Sequence, residues 1–209
     1  MRVVVLGAAG GVGRAAVRLA GERGHAVLAV ARTPAGEGTA EELAGDVRDA
    51  GLPARAVAGA DAVLWCVGVT RRSGGDVGRA ALPLLVAAMT GAGVRRFVGV
   101  SGAGADLPGD RKGAGARLVS GLTHRLARDL VVDKEGEHAV LAASPLDWTQ
   151  VRPPRLVDRP GTGRYRLTDA APGLRAAAVS KADVALAMVE LAEGREWLHA
   201  APFVVAEGR

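Results

Sequence analysis

A chain of 209 residues, 49% hydrophobic and 23% charged, is long enough to bury one sizeable core, which excludes wholesale disorder and predicts a single domain over 1–209. The lone cysteine, Cys66, excludes an intrachain disulfide and a multi-cysteine metal site, and no apolar run approaches the ~18 residues of a membrane span. The net charge of +5 does not point to nucleic acid, because only three of the 27 basic residues are lysines, the arginines are scattered, and aromatic residues, at 3%, are too few for a base-stacking platform.

The chain opens on Arg2–Leu6, a β-branched run that reads as a buried strand and not as a secretory leader, so a cytoplasmic protein is expected. Gly10 to Arg23 reads as a helix with Val12, Ala15, Ala16, Leu19 and Ala20 on one face. His25–Arg32 is a second strand, and a short strand near Glu42–Ala44 leads into Gly45-Asp46-Val47. A weak helix over Leu52–Ala58 precedes a strand over Asp61–Val67, a helix over Val77–Gly91 and a strand over Arg96–Ser101. After a glycine-rich stretch, a long helical pattern runs from Leu126 to Ala143. Asp147–Val151 is the sixth strand, stopped by Pro153-Pro154, and Ser180 caps a helix over Lys181–Ala192 before a last strand at Pro202–Ala206. Near-continuous apolar strands alternating with helices give βαβ units and a doubly wound parallel sheet with helices on both faces. The Pro/Gly-rich stretch Pro153–Gly173 fits no element and is expected to fold over the carboxyl edge of that sheet.

The first strand runs into Gly7-Ala8-Ala9-Gly10-Gly11-Val12-Gly13 and then a helix. Gly7 permits the tight turn, Gly10 lets backbone approach a pyrophosphate, and Gly13 lets the helix pack against the strand. The helix N-terminus then offers free N–H groups to phosphate. The pattern has its confirming context, between a strand and a helix at the start of a βαβ unit. The second strand ends at Ala31-Arg32-Thr33, with no carboxylate for a ribose 2′-hydroxyl. Arg32 can fork onto a 2′-phosphate with Thr33 beside it, which predicts NADP(H). A charge-assisted bond of about 1.5–3 kcal/mol sets a ten- to hundredfold preference. Arg14 is a second phosphate candidate. No His, Cys, Asp or Glu spacing suits a metal.

Taken together, these segments resemble the NAD(P)H-binding, NmrA-like branch of the atypical short-chain dehydrogenase/reductases, the branch that includes flavin reductase/biliverdin reductase B. The motifs that carry the resemblance are the glycine loop, Arg32, Gly45-Asp46-Val47, Val67-Gly68-Val69-Thr70, Val98-Gly99-Val100-Ser101, Lys134 to Leu156 and Val179 to Ala185. The resemblance implies a Rossmann-like domain in which Ala9, Gly11, Val12, Val67, Gly68 and Val69 join the glycines at the nucleotide. It further implies that Asp46 and Val47 sit by the adenine, that Ser101 and Lys134 act at the nicotinamide, and that Pro153 approaches its carboxamide. Pro154 and Arg155 would face the substrate, under covering segments at about 102–125 and 153–178.

One departure bears on mechanism. The larger superfamily uses Tyr-x-x-x-Lys, but Leu130 stands four residues before Lys134, and the only tyrosine is Tyr165. Without that acid, worth about 10²–10⁴-fold, reduction of a flavin, quinone or related conjugated acceptor is favoured over carbonyl reduction. Two other readings stay open: a non-catalytic nucleotide sensor that binds a partner protein, and a tailoring enzyme acting on an aromatic or polyketide-like substrate. The protein is expected to act as a monomer or homodimer on a small molecule, without nucleic acid or membrane. His138 is expected at the surface, and Cys66 as a core thiol.

Overall fold

Valine, leucine and alanine runs without an interrupting polar group bury both faces, and the chain builds the centre of its sheet from such runs. The computed structural model describes residues 1–33, 36, 40–70, 73–110, 113, 121, 125, 127–173 and 176–207. Strands β1 (Arg2–Leu6), β2 (Ala26–Ala31), β3 (Glu41–Ala44), β4 (Ala62–Trp65), β5 (Arg96–Val100) and β6 (Asp147–Val151) lie parallel in the order β3-β2-β1-β4-β5-β6. The chain winds outward from β1 to β3 and restarts at β4 on the other side of β1. A crevice therefore opens at the carboxyl ends of β1 and β4, where a doubly wound sheet binds its ligand.

Alternate residues of β1 serve two cores. Val3 and Val5 pack with Ala16, Val17 and Ala20 of α1 (Gly11–Glu22) and with Val184, Ala185 and Met188 of α5 (Lys181–Glu193). Val4 and Leu6 pack on the opposite face with α2 (Gly51–Val57), α3 (Val77–Gly91) and α4 (Arg128–Ala142) through Leu52, Leu82, Leu85 and Leu141. Arg96 is buried on β5 and donates to the carbonyls of Leu191 and Asp147 and to Thr149 Oγ1 at 2.6–2.9 Å, tying α5 to the sheet. Burial lowers its pKa to about 10. Its neighbour Arg95 pairs with Asp147 at 3.1 Å. Arg71 and Arg72 lie outside the described residues.

The expected elements recur with shifted ends. The fourth strand stops at Trp65, two residues early, because the chain leaves the sheet to form the crevice wall. The helix predicted from Leu126 begins at Arg128, Leu126 itself lying outside the described residues. The stretch Pro153–Gly173 holds two strands with no sequence counterpart. β7 (Leu156–Val157) pairs with β9 (Val179–Ser180), and β8 (Tyr165–Thr168) pairs antiparallel with β10 (Phe203–Ala206). The last strand thus belongs to a separate ribbon. The residues before it run beside β6, with Gln150 N donating to Ala200 O (3.0 Å) and Arg152 N to Pro202 O (2.9 Å). Ser180 caps α5 as predicted, its Oγ accepting from Asp183 N at 2.9 Å.

Candidate functional site

The loop after β1 closes on itself. Gly7 has φ +80°, a left-handed conformation that favours glycine, and donates to Val30 O at 2.9 Å. A methyl group on Gly7 would stand 2.7 Å from Cys66 O, and one on Gly13 would stand 2.2 Å from Gly7 O. Gly10 N turns back onto Gly7 O at 3.0 Å. The first turn of α1 has no acidic residue, and no side chain caps it. Its leading N–H groups therefore remain available to an anion.

In front of this loop lies a cleft of about 270 Å³. Gly7, Ala9 and Gly10 form its floor, Arg32 stands at the end of β2, Asp46 and Val47 flank it, and Val67 and Gly68 form the β4 side. Gly11, Val12 and Gly13 follow directly in α1, while Thr33 is exposed just beyond Arg32. Val69, Ser101, Lys134, Pro153, Pro154 and Arg155 do not line this cleft. Thr70, the last residue of the Val67-Gly68-Val69-Thr70 motif, completes the cleft wall together with Ser73 and Val77, which sequence reasoning missed. Sequence reasoning placed Cys66 in the core. Cys66 does pack against the core, where burial pushes the thiol's pKa up to about 12, and the same residue also borders the cleft.

Asp46 takes a bidentate contact from Arg48, at 3.0 and 2.8 Å, which holds its carboxyl down at about 2. Arg48 also reaches Ser73 O at 3.3 Å, joining the loop after β3 to the loop after β4. The Arg48 N–H to Asp46 Oδ1 turn (3.0 Å) was the local signal available for this pairing.

Behind the β4 wall sits a buried polar cluster. Lys134 Nζ donates to Val67 O (2.8 Å) and to both carboxylate oxygens of Glu137 (2.8 and 2.9 Å). Trp65 Nε1 donates to the same Glu137 carboxylate at 3.1 Å. Burial pushes the Glu137 carboxyl above its ordinary range, against the pull of Lys134 and Trp65. Asp133, fully buried, accepts from Gly78 N and Arg79 N and so caps α3 from the side. The three donors of Lys134 are matched by these acceptors. The residue expected at the nicotinamide thus bonds to the main-chain carbonyl of Val67, a wall residue. His138 is likewise not a surface histidine: it is half-buried, edge-on to Trp148, with Nδ1 2.9 Å from Gln150 Oε1.

Ser101 differs. Its Oγ is buried and, among the described residues, has no hydrogen-bond partner, although it stands where β5 ends at the carboxyl edge. A buried hydroxyl left unpaired in a protein costs about 1–3 kcal/mol, so a polar group of a bound molecule suits it. The expected covering segments lie partly outside the described residues, His124 among the residues not described. Where described, they are pinned. Arg152, 1% exposed, binds Asp110 at 2.6 and 2.7 Å and Ala105 O at 2.7 Å, with its guanidinium over Phe203. Ala103 N donates to the carbonyl of the buried Pro153 at 3.1 Å. Asp183 accepts from Thr162 N and Gly163 N at 2.7 and 2.8 Å, holding the 161–163 turn on α5. Pro154 is half-buried and Arg155 exposed. Tyr165 lies on β8, bonded to Glu190, whose charge together with burial raises its pKa.

A family model described as NAD(P)H-binding matches residues 7–194. The chain belongs to the NAD(P)H-binding family. No curated protein sequence matches it. The NADP complex of a short-chain dehydrogenase/reductase from Veillonella parvula is 20% identical with a TM-score of 0.80, over 99% of this chain and 95% of that one. The anaerobilin reductase ChuY of Escherichia coli is 23% identical with a TM-score of 0.80, over 100% and 98%. A Streptococcus pneumoniae protein named as an NADH-flavin reductase is 22% identical with a TM-score of 0.80, over 99% and 100%. At these identities the likeness shows the Rossmann-like fold. The residues present fit the family's cofactor: a self-closed glycine cradle, an uncapped helix end and a cleft along β1, β2 and β4. Among the described residues no helix is long and apolar enough to cross a membrane, and no group of three His, Cys, Asp or Glu could hold a metal.

Proposed function

We propose that this NAD(P)H-binding protein is an NADPH-dependent reductase that passes a hydride to a flavin, quinone or related conjugated acceptor. The observation that carries the reading is the occupied ammonium of Lys134 beside a missing acid: Leu130 stands four residues before it, and Lys134 is spent on Glu137 and Val67. A site without a positioned acid suits acceptors that take hydride first and a proton from water afterwards. The names of the Escherichia coli and Streptococcus pneumoniae neighbours, a bilin-type and a flavin reductase, agree with that class of acceptor.

Bound NADPH supplies the hydride. The first-turn N–H groups of α1 take the diphosphate, Arg32 the 2′-phosphate, and Asp46 with Val47 the adenine side of the cleft. The unpaired Ser101 hydroxyl orients the nicotinamide or the acceptor. Lys134 keeps the Val67 wall in place. A nucleotide sensor would need an exposed apolar face for its partner. The exposed large hydrophobics among the described residues are Met1, Leu130 and Leu156, on three separate segments, which favours the reductase.

The test is NADPH consumption with FMN, riboflavin and simple quinones, run beside NADPH and NADH titrations. Turnover that prefers NADPH is expected. Tight binding with no turnover on any of these acceptors overturns the flavin and quinone reductase reading in favour of the sensor or of a tailoring enzyme with a specialised substrate.

A further inference from the structure

The first residue of α1 touches the first residue of α5. A methyl group placed on Gly11 would fall 2.6 Å from Lys181 Cδ and 3.0 Å from its Nζ. The lysine chain therefore lies across the opening of α1, over the stretch that follows the glycine cradle. Lys181 is also the first residue of its own helix, where the macrodipole disfavours a cation. Its ammonium is thus set between two positive helix ends, one capped by Ser180 and Asp183 and the other, that of α1, uncapped. The counter-charge present is Asp158, at 2.6 Å, whose side chain is 82% exposed and belongs to the covering stretch after β6.

Resting on the cofactor assignment, we infer that Lys181 is a binding residue for the cofactor's diphosphate, supplied across the fold to a loop position that is itself glycine. Gly11 leaves room for the lysine stem, and α1 brings its free N–H groups to the same place. Asp158 holds the ammonium over the loop until the diphosphate takes it. Asp183 anchors the covering stretch independently through Thr162 and Gly163, so exchange of Asp158 for phosphate leaves that anchor intact. Lys181 and Arg32 thereby divide the phosphates: one serves the diphosphate, the other the 2′-phosphate.

The experiment titrates the full chain with NADPH, ADP-ribose and 2′-AMP, by calorimetry, in wild type, Lys181→Met, Lys181→Arg and Asp158→Asn. Lys181→Met should weaken NADPH and ADP-ribose about tenfold, the scale of one charge-assisted contact, and leave 2′-AMP within about twofold. Lys181→Arg should recover most of the loss, and Asp158→Asn should tighten ADP-ribose by removing a competitor. Unchanged ADP-ribose affinity in Lys181→Met, or an equal loss for 2′-AMP, overturns the assignment. A wild type that binds neither NADPH nor ADP-ribose overturns the cofactor assignment itself, and this one with it.

Discussion

A methyl group on Gly13 meets the Gly7 carbonyl oxygen at 2.2 Å, a contact with backbone that no rotamer relieves. Gly13→Ala should cost about 1–3 kcal/mol, as overpacking does, and weaken NADPH, read by urea unfolding and by titration. Arg32 at the end of β2 tests the 2′-phosphate. Arg32→Ala should shrink the preference for NADPH over NADH about ten- to hundredfold and leave NADH binding unchanged. Cys66 stands on the cleft wall with its pKa pushed up to about 12, so iodoacetamide should label it far more slowly than free cysteine at mildly alkaline pH, measured by mass spectrometry. The glycine spacing and Arg32 were legible in sequence because their logic is local: a strand, a turn and a helix within a few residues. Lys181 over Gly11 was not, because that contact joins the first and last helices of the main fold, and no spacing rule links them.

Helix α4 shows what periodicity conceals. Its buried positions include Asp133, Lys134 and Glu137, so no apolar stripe marks its inner face. The resemblance drew attention to Lys134, but the acceptors that occupy it, Val67 O and Glu137, come from the tertiary packing of α4 behind β4. Glu137→Ala would leave that ammonium buried without a counter-charge, and should cost about 3–5 kcal/mol in urea unfolding. Glu137→Gln, which keeps the acceptor oxygen toward Trp65, should cost less. Strand β8 escaped the sequence for a related reason. Tyr165–Thr168 is short and follows a Pro/Gly run, and it becomes a strand through its partner β10, more than thirty residues away.

At the scale of the whole molecule, surface arginines set the response to acid. Arg48, Arg95 and Arg23 hold the carboxyls of Asp46, Asp147 and Glu193 below their ordinary values, chiefly through side-chain hydrogen bonds. A carboxyl depressed on folding adds stability that is complete above its unfolded pKa and lost as pH falls through its folded one. For Asp46 that window runs from 3.8 to about 2. Glu137, raised by burial, works in the opposite sense, its cost relieved as it protonates. Unfolding free energy should therefore decline between about pH 4 and 2, and Asp46→Asn should flatten the decline, measured by urea unfolding across that range. The docking of residues 199–204 along β6 has a further consequence. An open strand edge invites another chain to add to it. Here Ala200 and Pro202 already accept the outward N–H groups of Gln150 and Arg152, while the opposite edge strand, β3, begins with the exposed charges of Glu41 and Glu42. Each rim of the sheet is thus guarded, one by the chain's own carboxyl-terminal segment and one by charge, and a variant that loosens that segment should be lost to aggregation before it is lost to unfolding.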